Sequence, residues 1–367
     1  MPPTAMRTHG MSACAPCPRA GSVGCPQCMR IGYSMWGFLG EGIVDTPDGA
    51  RAYRRPFIDG LTSAGHEIVL LQINRDRYEA GEDLRDRYRW HSGFPDLDAL
   101  IFEWRWPLPG RNTTHCGAGG HTCDLHRQTE LFDRYTAAGT PTLVWDLDRQ
   151  LPADDPRRQL PNMVVGEFAL RHTPGAEGLF CPVPDDLLNS ADPKRLARTE
   201  RPLPLVYVGN QYDRDEAFDL YFAPAAATVP HRVAGKWLRT QAWPHVTFSG
   251  RCGFVEVDQI HRGALATVLL LPQRYAAVGH MTSRWFEALL AGCLPLAPAE
   301  IHSVETYTPP SLRVNNGHDV IEKLTWLQSI AGTSEHIDLI ATSLSYLEPF
   351  RNSTQVATAV KLLEGLS

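Results

Sequence analysis

The chain has 367 residues, 43% of them hydrophobic and 21% charged, with a formal net charge of −6. That length accommodates two ordinary domains, and the composition is that of a globular protein rather than a disordered or fibrous one. The negative charge weighs against a general polyanion binder, and no run reaches the roughly 18 apolar residues a membrane-spanning helix needs.

Residues 1–28 are rich in Pro, Ala, Gly and Cys and lack any apolar period, so they read as a disordered leader. They hold Cys14-x2-Cys17 and Cys25-x2-Cys28, a pattern that can present four thiolates to zinc. Only seven residues separate the two pairs and no core-forming run follows directly, so the expectation is no metal site, with this quartet as the alternative. The remaining cysteines (116, 123, 181, 252 and 293) are scattered, as in a reducing cytoplasm, where the protein is expected.

From Met29 the pattern becomes regular. "MRIGYSMW" predicts a strand, "TPDGARAYRRPFIDGLTSAGH" a helix, and "EIVLLQI" a strand buried on both faces. "LDALIFEWR" and "TPTLVWDLD" predict strands on either side of the helix "DLHRQTELFDRYTAAG", with "MVVGEFAL" and "GLFCPV" as shorter ones. Alternating strands and helices imply a parallel, helix-covered sheet over 29–184. The polar, proline-marked stretch 185–204 reads as a linker.

The alternation then restarts over 205–340, through "LVYVGN", "HRVAGKW", "HVTFSG", the helix "VEVDQIHRGA" and the strand "TVLLLP". Helices over 341–367, broken near Pro349, are placed as packing back on the first domain. The fold class is therefore α/β, with two Rossmann-like domains facing across a cleft. Ligands of such sheets bind at the carboxyl ends of the strands.

"HMTSRWFEALLAGCLPLAP" (280–298) makes the sharpest chemical demand. Thr282 or Ser283 can cap a helix whose free N–H groups favour an anion such as phosphate. Glu287 lies one turn further in, where a carboxylate can accept hydrogen bonds from sugar hydroxyls; an ordinary i,i+3 pair with Arg284 is the plainer reading. In the first domain, Gly37 and Gly40 of "WGFLGEG" let backbone N–H groups approach a ligand, and Trp104 of "FEWRWP" offers a ring for stacking. "HCGAGGHTC…H" (His115, Cys116, His121, Cys123, His126) reads as an acceptor loop before a zinc site.

The run from "HVTFSGR" to "CLPLAP", with Arg284, Phe286, Glu287, Ala288 and Gly292 as R-x-F-E-A-x-x-x-G, resembles the carboxy-terminal half of GT-B glycosyltransferases. It is closest in style to the CgeB-like, glycosyltransferase-group-1 branch. The resemblance implies a UDP-, GDP- or TDP-sugar donor held by the second domain, an acceptor held by the first, and no required cofactor. It implies Glu287 on the donor ribose and His280 to Arg284 on diphosphate or sugar, with cations stabilising the departing diphosphate. Gly209, Asn210, Arg214, Lys236 and Arg251 complete the expected donor set. Gly279 stands where relatives carry a second acid, which leaves His280 as a partial substitute.

Asp146 is the expected general base if the enzyme inverts, although the resemblance leans toward retention. The acceptor is open among a natural product, a surface glycan, a protein and a modified DNA base, the last disfavoured by net charge. A nucleotide-sugar epimerase or a catalytically silent nucleotide-binding protein would share the same features.

Overall fold

A computed structural model describes residues 28–40, 51–108 and 124–366. The first sheet holds β1 (Arg30–Ser34), β2 (Glu67–Leu70), β3 (Arg89–Trp90), β4 (Ala99–Glu103), β5 (Thr142–Asp146), β6 (Met163–Glu167) and β7 (Ala176–Gly178). All its pairings are parallel, in the order β3-β2-β1-β4-β5-β6-β7. The second sheet holds β8 (Leu203–Val208), β9 (His231–Ala234), β10 (Ala264–Val268), β11 (Leu294–Pro298) and β12 (Arg313–Val314). It is also parallel, in the order β12-β11-β10-β8-β9.

Parallel strands need cover on both faces, and the sequence alternation supplies it. Ile31, Tyr33 and Ile101 face α1 (Arg51–Ser63) through Phe57, Ile58 and Leu61. Leu100, Phe102 and Val144 face the other way, toward Leu131, Phe132 and Tyr135 of α2 (Asp124–Ala137). In the second sheet, Val206, Val208 and Ala264 pack under α3 (Phe254–Arg262) and α4 (Ser283–Leu290). Leu205, Tyr207 and Leu265 belong to the opposite core with Val320 and Leu324 of α5 (Gly317–Ile330). Among the described residues no helix is long and apolar enough to cross a membrane.

Three local expectations change. "HVTFSG" forms no strand, only a single bridge from Val233 to Phe248, because the chain there lies over the aromatic cluster of Phe218, Trp237 and Trp243. "GLFCPV" is likewise irregular, the strand ending at Gly178. The stretch 185–204 is not featureless: it contains helical turns at Asp185–Ser190 and Pro193–Arg198. Asp192 caps the second by accepting from the Lys194 amide, and Leu188, Leu196 and Ala197 are buried.

Beyond α6 (Ser334–Ser345), a turn at Glu348–Phe350 leads into α7 (Asn352–Glu364), which lies against α1. The Asn352 amide group donates to the Pro56 carbonyl at 2.8 Å, and the backbone at 350–352 pairs with Val183. Replacing Asn352 with Ala leaves the Pro56 carbonyl without this buried donor. The expected loss is about 1–3 kcal/mol, read as a lower urea midpoint with unchanged m-value.

Candidate active site

Each sheet reverses strand order once, between β1 and β4 in the first and between β8 and β10 in the second. Crevices open beyond the carboxyl ends of strands at such points. Here the two crevices form one cavity of about 740 Å³, lined by residues of both halves.

The halves are joined at the back of this cavity by antiparallel backbone pairing. The Leu170 amide donates to the Gly279 carbonyl at 3.1 Å, the Arg171 amide to the Val278 carbonyl at 3.0 Å, and Ala169 bridges His280. Gly279 has φ +61°, and a Cβ there would lie 2.4 Å from the His302 carbonyl oxygen. An acid at this position would collide with backbone, which explains the glycine where the resemblance leads one to expect a carboxylate.

Just beyond the join, α4 begins. Thr282, in extended conformation, precedes the helix without a side-chain cap bond, and Thr282, Ser283 and Arg284 all line the cavity. The first amides of α4 therefore keep the positive end of the helix available to an anion. Arg214 also lines the cavity and donates to the carbonyls of Leu270, Asn210 and Tyr212. No acidic partner is found for it among the described residues. Arg251 and Arg274 line the same side.

Gly209 and Asn210 line the cavity at the end of β8. Asn210 accepts from the Lys236 amide at 2.8 Å, which ties this loop to the turn after β9. There Gly235 (φ +136°) passes so close that a Cβ would lie 2.0 Å from the Gly209 carbonyl oxygen. Lys236 contributes backbone to this link, and its residue is not among those lining the cavity.

Glu287 does not face the cavity as expected. Its carboxylate is taken by Arg284 one turn back, and Arg284, not Glu287, reaches the lining. His280 does line the cavity, but it is buried, stacked on Tyr275 at 4.1 Å and against Phe168 at 5.9 Å. Burial pushes its imidazole down to about 4, against the opposing pull of Asp148. It is neutral at physiological pH, and its buried Nδ1 has no partner.

The first-domain expectations shift more. Asp146 is fully buried because β5 ends there and the chain turns sharply, with Arg149 at φ +56°. Its two oxygens accept from the Gln150 and Leu151 amides at 2.9 and 2.7 Å, so it builds the turn. Asp148 is the carboxylate of the first half that lines the cavity. It accepts from the Tyr275 hydroxyl of the other half and lies 3.7 Å from Arg105. Gly37, Gly40 and Trp104 do not line the cavity. The Leu39 and Gly40 amides are occupied by the buried carboxylate of Asp76 at 2.7–3.1 Å, and Trp104 packs in the core with Phe102.

Arg105 is held by Glu103 at 3.4 Å and by the Trp36 carbonyl at 3.3 Å. Glu103 in turn forms a bidentate, fully buried pair with Arg54 at 2.6 Å and accepts from Tyr33. Sequence reading missed Tyr275, Arg105 and Arg274, and it gave the role of base to Asp146 although "WDLD" also offers Asp148 as an acceptor-facing carboxylate. Alternation along a continuing strand would put Asp146 and Asp148 on one face, but the strand ends at Asp146 and the turn after it separates them.

The expected acceptor loop falls on 115–123 and the cysteines Cys14, Cys17 and Cys25 on the leader, outside the described residues. Of these groups, Cys28 donates to the Gly65 carbonyl and His126 pairs with Glu130 on α2.

No family model matches the sequence, and no curated protein aligns with it significantly. Solved structures do match. T4 phage β-glucosyltransferase in complex with UDP and Mn2+ superposes with a TM-score of 0.61 at 12% identity, covering 92% of this chain and 100% of that one. HepE from Anabaena in complex with UDP-glucose gives 0.53 at 10%, covering 92% and 100%. AviGT4, a glycosyltransferase involved in avilamycin A biosynthesis, gives 0.53 at 13%, covering 92% and 98%. The chain has the GT-B fold of these glycosyltransferases.

Burial raises the Asp146 carboxyl to about 6, against the lowering effect of its two amide donors. A raised carboxyl stabilises the fold at low pH, and that stability is lost as pH rises from about 4 through about 6. The loss amounts to roughly 3 kcal/mol. Asp146→Asn removes this titration, so the stability of wild type relative to the variant should fall by about that amount between pH 4 and pH 7. Paired urea titrations at the two pH values check it.

Proposed function

We propose that the protein is a glycosyltransferase that moves a sugar from a nucleoside diphosphate carrier to an acceptor hydroxyl or amine. The observation that carries this reading is the opposition of two surfaces across one cavity. On the second half stand the open start of α4, Arg214, Arg251, Arg274 and Arg284; on the first stands the carboxylate of Asp148. The GT-B fold and neighbours solved with UDP or UDP-glucose support the same reading.

In this mechanism the diphosphate lies at the start of α4, where helix amides and Arg284 accept its charge. Arg214, with only carbonyl partners among the described residues, is placed to take the charge that grows on the leaving diphosphate. Glu287 holds Arg284 at the rim instead of reading the ribose. Arginines and helix dipole together supply this stabilisation without calling on a metal. The cavity lining offers two carboxylates among the described residues, Asp148 and Asp213, one from each half.

Asp148 is our candidate for the base that takes the acceptor proton, in place of Asp146. Tyr275 donates to one of its oxygens and stays protonated, since burial raises the phenol far above its ordinary range. Arg105 lies by the other oxygen, so the carboxylate is oriented from both sides. A base on the acceptor side favours direct displacement with inversion, whereas the sequence resemblance leans toward retention. His280, neutral and buried, packs Tyr275 in place and takes no proton in this scheme. Membership of the CgeB-like branch and a cytoplasmic location remain proposals carried by the sequence pattern.

Two variants separate donor binding from chemistry. Arg284→Ala should weaken UDP binding by roughly 10- to 100-fold, the range for a lost charged hydrogen bond. Asp148→Asn should bind UDP as wild type does and lose transfer by at least about 100-fold, the lower range for a lost general base. Calorimetry with UDP and assays of UDP release from UDP-glucose check both. Wild-type transfer in Asp148→Asn would remove the proposed base.

A further inference from the structure

Arg54 on α1 and Glu103 at the end of β4 do not line the cavity, yet they are fully buried and joined by two bonds of 2.6 Å, Nε to Oε1 and Nη2 to Oε2. The Tyr33 hydroxyl adds a third donor at 2.9 Å. Such a pair gives up its hydration on folding and adds little net stability over apolar residues of the same shape. Stability alone does not account for it.

The Glu103 carboxylate is shared. Side-chain alternation runs past the end of β4: Phe102 and Trp104 enter one core, which leaves Glu103 and Arg105 together. Arg105 Nη2 lies 3.4 Å from Glu103 Oε2, the oxygen that Arg54 Nη2 also holds. Arg105 is fixed elsewhere as well. It donates to the Trp36 carbonyl at 3.3 Å and covers the Trp36 ring at 5.4 Å. Its backbone exchanges two bonds with Gln128 of α2, amide to Oε1 at 3.0 Å and Nε2 to carbonyl at 2.7 Å. From this frame Nη1 stands 3.7 Å from the Asp148 carboxylate, which lines the cavity.

We propose that Glu103 and Arg54 are positioning residues for transfer: the pair sets the Arg105 guanidinium, and Arg105 sets the Asp148 carboxylate. This rests on the reading of Asp148 as the base. Tyr275 donates to one oxygen of Asp148, and a carboxylate held at one oxygen pivots about that bond. Arg105 at the other oxygen fixes which face of the carboxylate meets the acceptor. An arginine on a free stem would follow Asp148 as it moved. One held by Glu103, Trp36 and Gln128 does not, and the buried pair supplies the rigid end of that chain of contacts.

The test exchanges the pair for apolar side chains, Arg54→Met together with Glu103→Leu, so that no buried charge is left alone. The readouts are the urea midpoint, UDP affinity by calorimetry, and UDP release from UDP-glucose with water as acceptor. The double variant should fold, bind UDP as wild type does, and release UDP about 10- to 100-fold more slowly, the scale for displacing a reacting group by about 1 Å. Arg105→Met should show a similar loss. Adding the pair exchange to Arg105→Met, or Arg105→Met to Asp148→Asn, should cost nothing further, since all act through one carboxylate. A folded double variant with wild-type release, an equal loss of UDP affinity, or losses that multiply would each overturn the assignment. Should the double variant not fold, Arg105→Met decides: wild-type release overturns the assignment, and a loss that vanishes in the Asp148→Asn background supports it. Wild-type release by Asp148→Asn would instead bring down the base reading, and no release by the wild-type protein the donor reading, each taking this assignment with it.

Discussion

The arrangement of the cavity depends on one short backbone join. Leu170 and Arg171 donate to the carbonyls of Gly279 and Val278, and this pairing fixes the two halves at the root of the cleft. Several residues of the cavity lie within a few positions of it. Tyr275 precedes it and Thr282 follows it on the second half, while Phe168 abuts it on the first. The left-handed backbone at Gly279 is what allows the chain to pass His302 and still pair, so the local sequence is dictated by sterics and not by substrate.

That join also explains why a tyrosine of one half can hold an aspartate of the other. Tyr275 is stacked on His280, and His280 is bridged to Ala169. The phenol therefore reaches Asp148 from a frame that already includes both halves. A flexible pairing across an open cleft would lose this hydrogen bond to the entropy of ordering two side chains. Here the ordering is met by the packing of Tyr275, Phe168 and His280, whose rings are buried.

The fold was legible where one physical rule dominated. Continuous apolar strands such as "EIVLLQI" and "TVLLLP" separated by amphipathic helices can form little else than covered parallel sheets. Arg214, Arg251, His280, Thr282, Ser283 and Arg284 were legible as cavity residues because strand ends and a helix start define the rim of such sheets. Asp146 misled because alternation holds only while the strand continues, and the chain turns at that residue. Gly40 misled because a glycine-bearing loop resembles an anion cradle until a distant acid, Asp76, is known to fill it. Tyr275 carried no local signal at all: its partner lies 127 positions away, and only tertiary structure brings them together.

The asymmetry of the two walls bears on how the proposed reaction handles charge. Negative charge grows on the leaving diphosphate while a proton departs from the acceptor, so the two changes want opposite environments. The second half supplies helix amides and arginines; the first supplies a carboxylate among rings. Had both walls been basic, Asp148 would be held ionised but weakened as a base by surrounding cations; had both been acidic, the diphosphate would be repelled. Arg105 is the cation that pairs with Asp148 among the described residues, and Glu103, itself bound bidentately by the buried Arg54, also contacts that cation. The Arg54–Glu103 pair thus positions Arg105, and through it the carboxylate of Asp148, from outside the cavity.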